Sequence, residues 1–158
     1  WAVQNGLTKG TTETTFSPNN ICTRGEMVTF LWRAAGEPEP TSTVNSFPDI
    51  DSDAYYYKAV LWAAEKGITS GTTSSTFSPN AVATRGQTVT FLWRYAGFIH
   101  SDASNPFVDV SKDEYYADAV LWAVENGITN GTSTTHFSPD SYCSRGQIVT
   151  FLWRYIVN

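Results

Sequence analysis

The sequence has little cysteine, few basic residues and no long apolar run. Its only two cysteines, Cys22 and Cys143, form no CxxC motif and have no neighbouring pair of histidines, which argues against a metal site and a disulfide framework. Ten basic against 15 acidic residues give a net charge of −5, and binding to nucleic acid usually needs a basic face. No stretch approaches the roughly 18 apolar residues of a membrane span. We therefore expect no metal or other cofactor, no nucleic-acid partner and no membrane insertion.

The dominant feature of the sequence is an internal repeat of about sixty residues. One stretch, which begins WAVQNGLT and ends VTFLWR in its first copy, occurs at 1–33, 62–94 and 122–154. A second stretch precedes only the later two copies, as FPDIDSDAYYYKAVL and FVDVSKDEYYADAVL. The sequence thus predicts one module of three repeats, the first without its first helix, with the boundaries 1–36, 47–97 and 107–158.

Each complete repeat is predicted to form a helix, a loop and a second helix. In the first element, Tyr56, Ala59, Val60 and Ala63 share one helical face. Asp51, Ser52 or Asp53 is expected to cap its start, and Gly67 to end it. The second element, VTFLWR, would favour a strand by propensity alone. The boxes TRGE, TRGQ and SRGQ that precede it are capping boxes and favour a helix, so we predict an all-α fold.

The six arginines occupy only two positions of the repeat. The first set lies in the first helical turn, where the helix dipole disfavours a cation: Arg24, Arg85 and Arg145. There, free helix amides and a guanidinium fork could together hold an anion. An internal pair with Asp49 or Asp109 explains the same placement, and the residues alone leave both interpretations open. The second set lies in the last helical turn and is predicted to be structural: Arg33, Arg94 and Arg154.

The run FxDV, YY, AVxWAxxxGIT, GT, FxP and [TS]RG[EQ] closely resembles the S-layer homology (SLH) domain. The family usually carries alanine where Gly25, Gly86 and Gly146 stand. The resemblance implies a pseudo-threefold assembly of three helical repeats, outside the cell and on the cell wall. It also implies a binding module without catalysis, which anchors a bacterial surface protein non-covalently. The implied ligand is a secondary cell-wall polysaccharide, often carrying acidic pyruvate ketals, held in grooves between repeats.

The resemblance also implies the residues that contact this ligand. The candidate anion contacts are Arg24, Arg85 and Arg145. The loop glycines that would let a sugar approach the backbone are Gly10, Gly71 and Gly131. The candidate acceptors for sugar hydroxyls are Asp49 and Asp109. Because repeat 1 is truncated, we expect fewer than three working grooves.

Several alternatives remain at this stage. The chain could instead be a protein-interaction or assembly module that self-associates through the incomplete first repeat. The spacing Asp49, Asp51, Asp53 matches the start of a calcium loop, but the following glycine and distal glutamate are missing, which favours helix capping.

Cys22 and Cys143 share one repeat position with Ala83, which predicts a small buried residue. A disulfide between them would require these positions to meet near the axis of the assembly.

Overall fold

The computed structural model describes residues 1–157, and this part of the chain contains helices and no strand. The helices are α1 (Arg24–Ala34), α2 (Tyr57–Glu65), α3 (Arg85–Tyr95), α4 (Ala117–Glu125) and α5 (Arg145–Val157). The predicted all-α class is confirmed. The VTFLWR segments, whose β-branched and aromatic residues favour a strand, lie within α1, α3 and α5.

Reciprocal capping boxes open the second helix of each repeat. In α1, the hydroxyl of Thr23 accepts a hydrogen bond from the amide of Glu26 at 3.2 Å. The carboxylate of Glu26 accepts one from the amide of Thr23 at 2.9 Å. The same pairing opens the other two helices: Thr84 with Gln87, and Ser144 with Gln147. Each box satisfies two helix-end amides, and this local signal outweighs the strand propensity that follows it.

The start of the first helix in each complete repeat differs from the prediction. The expectation that one of residues 51–53 caps α2 is wrong, because the N-cap position belongs to Tyr56, which makes no side-chain cap. The carboxylate of Asp51 instead accepts a hydrogen bond from the amide of Asp53, within a turn that precedes the helix. The other end of the helix agrees with the prediction, since Gly67 follows α2 with a φ of 69°.

The three repeats meet at the residues that precede their second helices. The amide of Cys22 donates to the carbonyl of Cys143 at 3.0 Å, that of Ala83 to Cys22 at 2.9 Å, and that of Cys143 to Ala83 at 3.0 Å. All three residues are fully buried, and both cysteines are free thiols. This cycle joins repeat 1 to repeat 3, repeat 3 to repeat 2, and repeat 2 to repeat 1. The cycle is compatible with the predicted pseudo-threefold assembly, whose symmetry stays a prediction.

The first helix of each complete repeat packs on the second helix of the preceding repeat. Helix α2 packs against α1, and α4 packs against α3. The corresponding partner of α5 would belong to the part of repeat 1 that this chain lacks. An apolar face lies beside α5. It surrounds a pocket of about 370 Å³ that is lined by Trp1, Ala2, Val3, Phe16, Val149, Thr150 and Trp153.

Candidate functional site

The arginines of the three capping boxes, Arg24, Arg85 and Arg145, are buried at the junctions between repeats. Each Nε donates to the carbonyl of the FxP phenylalanine in a neighbouring repeat: Arg24 to Phe77 at 2.9 Å, Arg85 to Phe137 at 3.0 Å, and Arg145 to Phe16 at 3.2 Å. Only 3% to 5% of each arginine is exposed. The guanidinium of Arg24 also lies over the ring of Phe77, 4.8 Å from its centroid. Aromatic rings therefore replace much of the water that an exposed cation would have.

The helix amides beside these arginines are already used. The amide of Arg24 donates to the carbonyl of Ala81 at 2.8 Å, and that of Gly25 to Pro79 at 2.9 Å. The loops of the other repeats take the equivalent amides of α3 and α5 in the same way. The expectation that free helix amides and the arginine share an anion is therefore wrong for these amides. These amides instead link the repeats to one another, which leaves the guanidinium as the group that could contact an anion.

The two candidate aspartates shape the loop that holds the arginine. Asp49 accepts hydrogen bonds from the amides of Phe77 and Ser78 at 2.9 and 2.6 Å. Asp109 accepts from Phe137 and Ser138 in the same way, at 2.9 and 2.7 Å. Among residues 1–157, neither aspartate forms an ion pair with an arginine, so the direct internal pair considered from sequence is absent from this part of the chain. Their contact with sugar hydroxyls stays a prediction.

The three loop glycines are required by the packing of their own loops. A Cβ at Gly71 would lie 2.5 Å from the carbonyl oxygens of both Thr73 and Thr76. The equivalent contacts at Gly10 and Gly131 are 2.6 and 2.4 Å. Gly10 and Gly71 also line the grooves described next, where the approach of a sugar to the backbone stays a prediction.

The groove of repeat 2 is a cavity of about 450 Å³ to which all three repeats contribute. Repeat 1 supplies Arg24, and repeat 3 supplies Tyr115. Repeat 2 supplies the loop and one face of α3: Thr69, Ser70, Gly71, Thr72, Gln87, Thr90, Phe91 and Arg94. Its volume lies within the range of roughly 300–1,000 Å³ that is usual for small-ligand sites.

The groove of repeat 1, of about 400 Å³, is the equivalent site one repeat earlier. Here repeat 3 supplies Arg145, and repeat 2 supplies Tyr55. Repeat 1 supplies Thr8, Lys9, Gly10, Thr11, Glu26, Thr29, Phe30 and Arg33. The third equivalent site would contain Arg85, but its tyrosine position falls in the part of repeat 1 that this chain lacks.

The two grooves differ in the surroundings of their arginines. In the groove of repeat 1, Arg145 donates to the carboxylate of Glu26 at 2.7 Å and to the hydroxyl of Thr8 at 3.2 Å. In the groove of repeat 2, Nη2 of Arg24 is buried and has no hydrogen-bond partner within the described residues. Burial lowers the pKa of Arg24 to about 10, so its side chain is still a cation at neutral pH.

The sequence analysis did not predict that Tyr55 and Tyr115 line the grooves. It also assigned the second set of arginines a structural role only. Tyr55 and Tyr115 repeat within the YY doublets, which was the signal available for them. Burial raises the pKa of Tyr115, so it presents a neutral hydroxyl at neutral pH. Arg94 donates to the carbonyl of Ile68 at 3.3 Å, a structural contact of the predicted kind, and it also lines the groove of repeat 2.

Within residues 1–157, no group of three histidine, cysteine, aspartate or glutamate side chains is arranged to hold a metal ion. No helix in the same part of the chain has the length and apolar character needed to cross a membrane.

Comparison with known proteins identifies relatives of the whole repeat unit. The sequence is 30% identical over 155 residues to an endoglucanase of Bacillus sp. (strain KSM-635), covering 92% of this chain and 16% of the relative. It is 29% identical over 160 residues to the surface-layer 125 kDa protein of Lysinibacillus sphaericus, covering 99% of this chain and 13% of that protein. A cell surface protein of Thermoanaerobacter kivui is 26% identical over 113 residues, which are 68% of this chain and 15% of that protein. The chain thus spans only about one sixth or less of the length of these relatives.

The family model of the S-layer homology domain matches the chain three times, at residues 1–28, 46–89 and 106–149. These segments overlap the three predicted repeats, the second and third starting one residue earlier than predicted, and together they cover most of the chain. The chain therefore belongs to the S-layer homology domain family and is a cell-surface, cell-wall-associated protein.

Proposed function

We propose that this chain anchors a bacterial surface protein to the cell wall by binding an anionic secondary cell-wall polysaccharide in its inter-repeat grooves. Surface anchoring is the role that membership of the family indicates. The finer proposal is that the ligand carries an acidic substituent such as a pyruvate ketal. The observation that carries it is Arg24, a cation that lines the groove of repeat 2 and whose Nη2 is buried without a hydrogen-bond partner within the described residues.

The chemistry of the groove of repeat 2 suits an acidic sugar. A buried cation without a counter-charge is unfavourable, and an arriving carboxylate would relieve that cost. The guanidinium fork matches the geometry of a carboxylate. The hydroxyl and amide groups of Thr69, Ser70, Thr90 and Gln87 suit the hydroxyls of a sugar. Tyr115 adds an aromatic face on which a sugar ring can pack.

We propose further that the grooves bind without catalysis. Most glycoside hydrolases place two carboxyl groups on either side of the bond they cleave. The residues that line the groove of repeat 2 include no carboxylate, and in the groove of repeat 1 the carboxylate of Glu26 is paired with Arg145. The endoglucanase relative is a much longer protein, of which this chain matches 16%. An enzyme could therefore share this module while carrying its active site elsewhere.

Co-sedimentation with bacterial cell-wall sacculi tests the proposal. The chain is expected to sediment with sacculi that retain their secondary polymer, and to stay in solution with sacculi stripped of it. Replacement of Arg24, Arg85 and Arg145 together by glutamine is expected to reduce binding at least tenfold, because it removes the cations. Equal binding to intact and stripped sacculi would contradict the proposal.

Two controls separate loss of binding from loss of folding. Lys112→Ala removes one exposed cation that lines neither groove, and it is expected to bind like the wild type. Far-ultraviolet circular dichroism and the melting temperature of each variant show whether the helices persist. A folded arginine variant that still binds as tightly as the wild type would exclude the arginines as the anion contacts.

Self-association through the incomplete first repeat is a second candidate function. The observation that favours it is the apolar face beside α5, where Trp153 is 40% exposed and Val3 is 59% exposed. If this face joins two copies, sedimentation equilibrium would show a concentration-dependent dimer that Trp153→Gln weakens. A monomer at every concentration would exclude this candidate and leave the proposal of polysaccharide binding unaffected.

A further inference from the structure

We propose that the last residue of the capping box, at position N3 of the helix, determines which groove accepts an anion, and that the acidic ligand binds in the groove of repeat 2. This inference rests on the proposed function for its ligand class. The box residue is Glu26 in the groove of repeat 1 and Gln87 in the groove of repeat 2. Each lines the same groove as the arginine that reaches it from another repeat, Arg145 or Arg24.

In the groove of repeat 1, Glu26 already fills the place of an anionic ligand. One carboxylate oxygen accepts from the amide of Thr23 within the capping box, and the other accepts from Nη1 of Arg145 at 2.7 Å. Nη2 of Arg145 donates to Thr8, and its Nε to the carbonyl of Phe16. Every guanidinium nitrogen of Arg145 is thus in use. Lys9 and Arg33 also line this groove, but a second carboxylate that approaches Arg145 would meet the negative charge of Glu26.

In the groove of repeat 2, the same position carries no charge. The side-chain oxygen of Gln87 accepts from the amide of Thr84 in the capping box, which leaves its NH₂ group as a hydrogen-bond donor. Arg24 is 97% buried, and its Nη2 has no partner within the described residues. Arg94 lines the same groove, and its Nε is likewise buried without a partner in that part of the chain. Two cations and an amide donor therefore line a space that has no carboxylate from the described residues.

Glutamate and glutamine are therefore equivalent as helix caps, but they differ in the charge that they bring to the groove. Both supply the side-chain oxygen that accepts from the N-cap amide, so exchanging them preserves the start of the helix. Only glutamate supplies the negative charge that neutralises the neighbouring arginine. A single exchange is thus expected to open or close a groove to anions while preserving the capping box.

The experiment exchanges these two residues and follows each groove separately. The probes are the methyl glycoside of a sugar that carries a pyruvate ketal and the methyl ester of its carboxyl group, which is neutral. Two-dimensional NMR reports occupancy through the backbone amides of Gly71, in the groove of repeat 2, and Gly10, in the groove of repeat 1. Calorimetry measures affinity and stoichiometry. Sacculus binding is measured in parallel.

For the wild type we expect the acid, and not its ester, to shift the amide of Gly71 and to leave Gly10 unchanged, with one site per chain. Gln87→Glu is expected to weaken this binding at least tenfold. Glu26→Gln is expected to add a second site that shifts Gly10. The matched controls Gln4→Glu and Glu125→Gln make the same charge changes at exposed residues that line neither groove, and should behave like the wild type.

Each outcome bears on a separate claim. A wild type that shifts Gly10 first, shifts neither glycine, or tolerates Gln87→Glu overturns the inference, whatever the sacculi show. A Glu26→Gln variant that folds but gains no second site overturns it as well. If the acid shifts the amide of Gly71 as expected but the chain does not sediment with intact sacculi, the inference stands and the proposed wall-anchoring function fails.

Discussion

Asp49 and Arg24 are joined through a single loop residue, Phe77. The amide of Phe77 donates to the carboxylate of Asp49 at 2.9 Å, and its carbonyl accepts from Nε of Arg24 at 2.9 Å. Asp109, Phe137 and Arg85 repeat the arrangement in the next pair of repeats. The aspartate therefore orients the arginine through the backbone.

Replacing Asp109 by asparagine is expected to destabilise the protein by about 1.5–3 kcal/mol, the usual range for hydrogen bonds to a charged group. Asparagine offers one acceptor oxygen where Asp109 accepts from two amides, those of Phe137 and Ser138. The measurement is urea unfolding at neutral pH. Asp113→Asn is the matched control, because the side chain of Asp113 is exposed. Equal stability of the two variants would contradict the assigned role.

The lowered pKa of Asp109 leads us to expect a loss of stability in acid. Burial opposes ionisation of Asp109, but hydrogen bonds from the amides of Phe137 and Ser138 outweigh it, so its pKa lies below the ordinary value. A carboxyl whose folded pKa is depressed contributes stability above its unfolded pKa of about 4 and loses it as the pH falls through the folded value. The gap in unfolding free energy between wild type and Asp109→Asn should therefore narrow below about pH 4. Unfolding curves between pH 7 and pH 2 measure it, and a constant gap would contradict the prediction.

Gly25→Ala is expected to cost about 1–2 kcal/mol, although alanine is the usual family residue at this position. A Cβ there would lie 2.9 Å from Cδ1 of Tyr56 and 3.1 Å from the carbonyl oxygen of Pro79, so the ring or the loop must shift. Gly146→Ala is the matched control, because its Cβ would meet only Pro18, at 3.1 Å or more. Thermal unfolding of both variants checks the prediction, and a larger loss for Gly146→Ala would contradict it.

Both thiols are expected to be free and unreactive in the folded protein. Cys22 and Cys143 are fully buried, and burial raises the pKa of both, which disfavours the reactive thiolate. A colorimetric thiol reagent at pH 8 should detect almost no thiol in the native chain. After unfolding without reductant, it should detect both cysteines. Detection of none after unfolding would show a disulfide.

Tyr115→Ala is expected to weaken binding of the acidic sugar about five- to tenfold, or roughly 1 kcal/mol, because the groove of repeat 2 loses an aromatic wall. Tyr55→Ala removes the equivalent wall from the groove of repeat 1 and should have less than a twofold effect. Calorimetry with the pyruvylated glycoside compares the two. Equal losses would show that both grooves hold the anion.

The helices and the repeat order could be predicted because they depend on local signals. The reciprocal pair Thr23 and Glu26 is separated by three residues, so the sequence displays the whole capping box. The start of α2 could not be predicted in the same way. The acids at 51–53 are good caps in isolation, but here they belong to a turn that precedes the helix, and Tyr56 takes the N-cap position.

The composition of the grooves could not be predicted, because it depends on contacts between distant repeats. The sequence singled out Arg145 but gave no sign that its partner is Glu26, 119 residues away. It also gave no sign that Tyr115 of repeat 3 would join Arg24 of repeat 1 in a groove of repeat 2. Repetition marks which positions matter, whereas only the folded arrangement shows which copies meet.

The backbone cycle of Cys22, Ala83 and Cys143 has a mechanical consequence. Each repeat takes part in two of its three hydrogen bonds, so pulling any one repeat away breaks two of them together. A linear array of repeats has terminal units that can fray one interface at a time. In the closed arrangement each repeat is bonded to both others, so no repeat can separate by breaking a single one of these contacts.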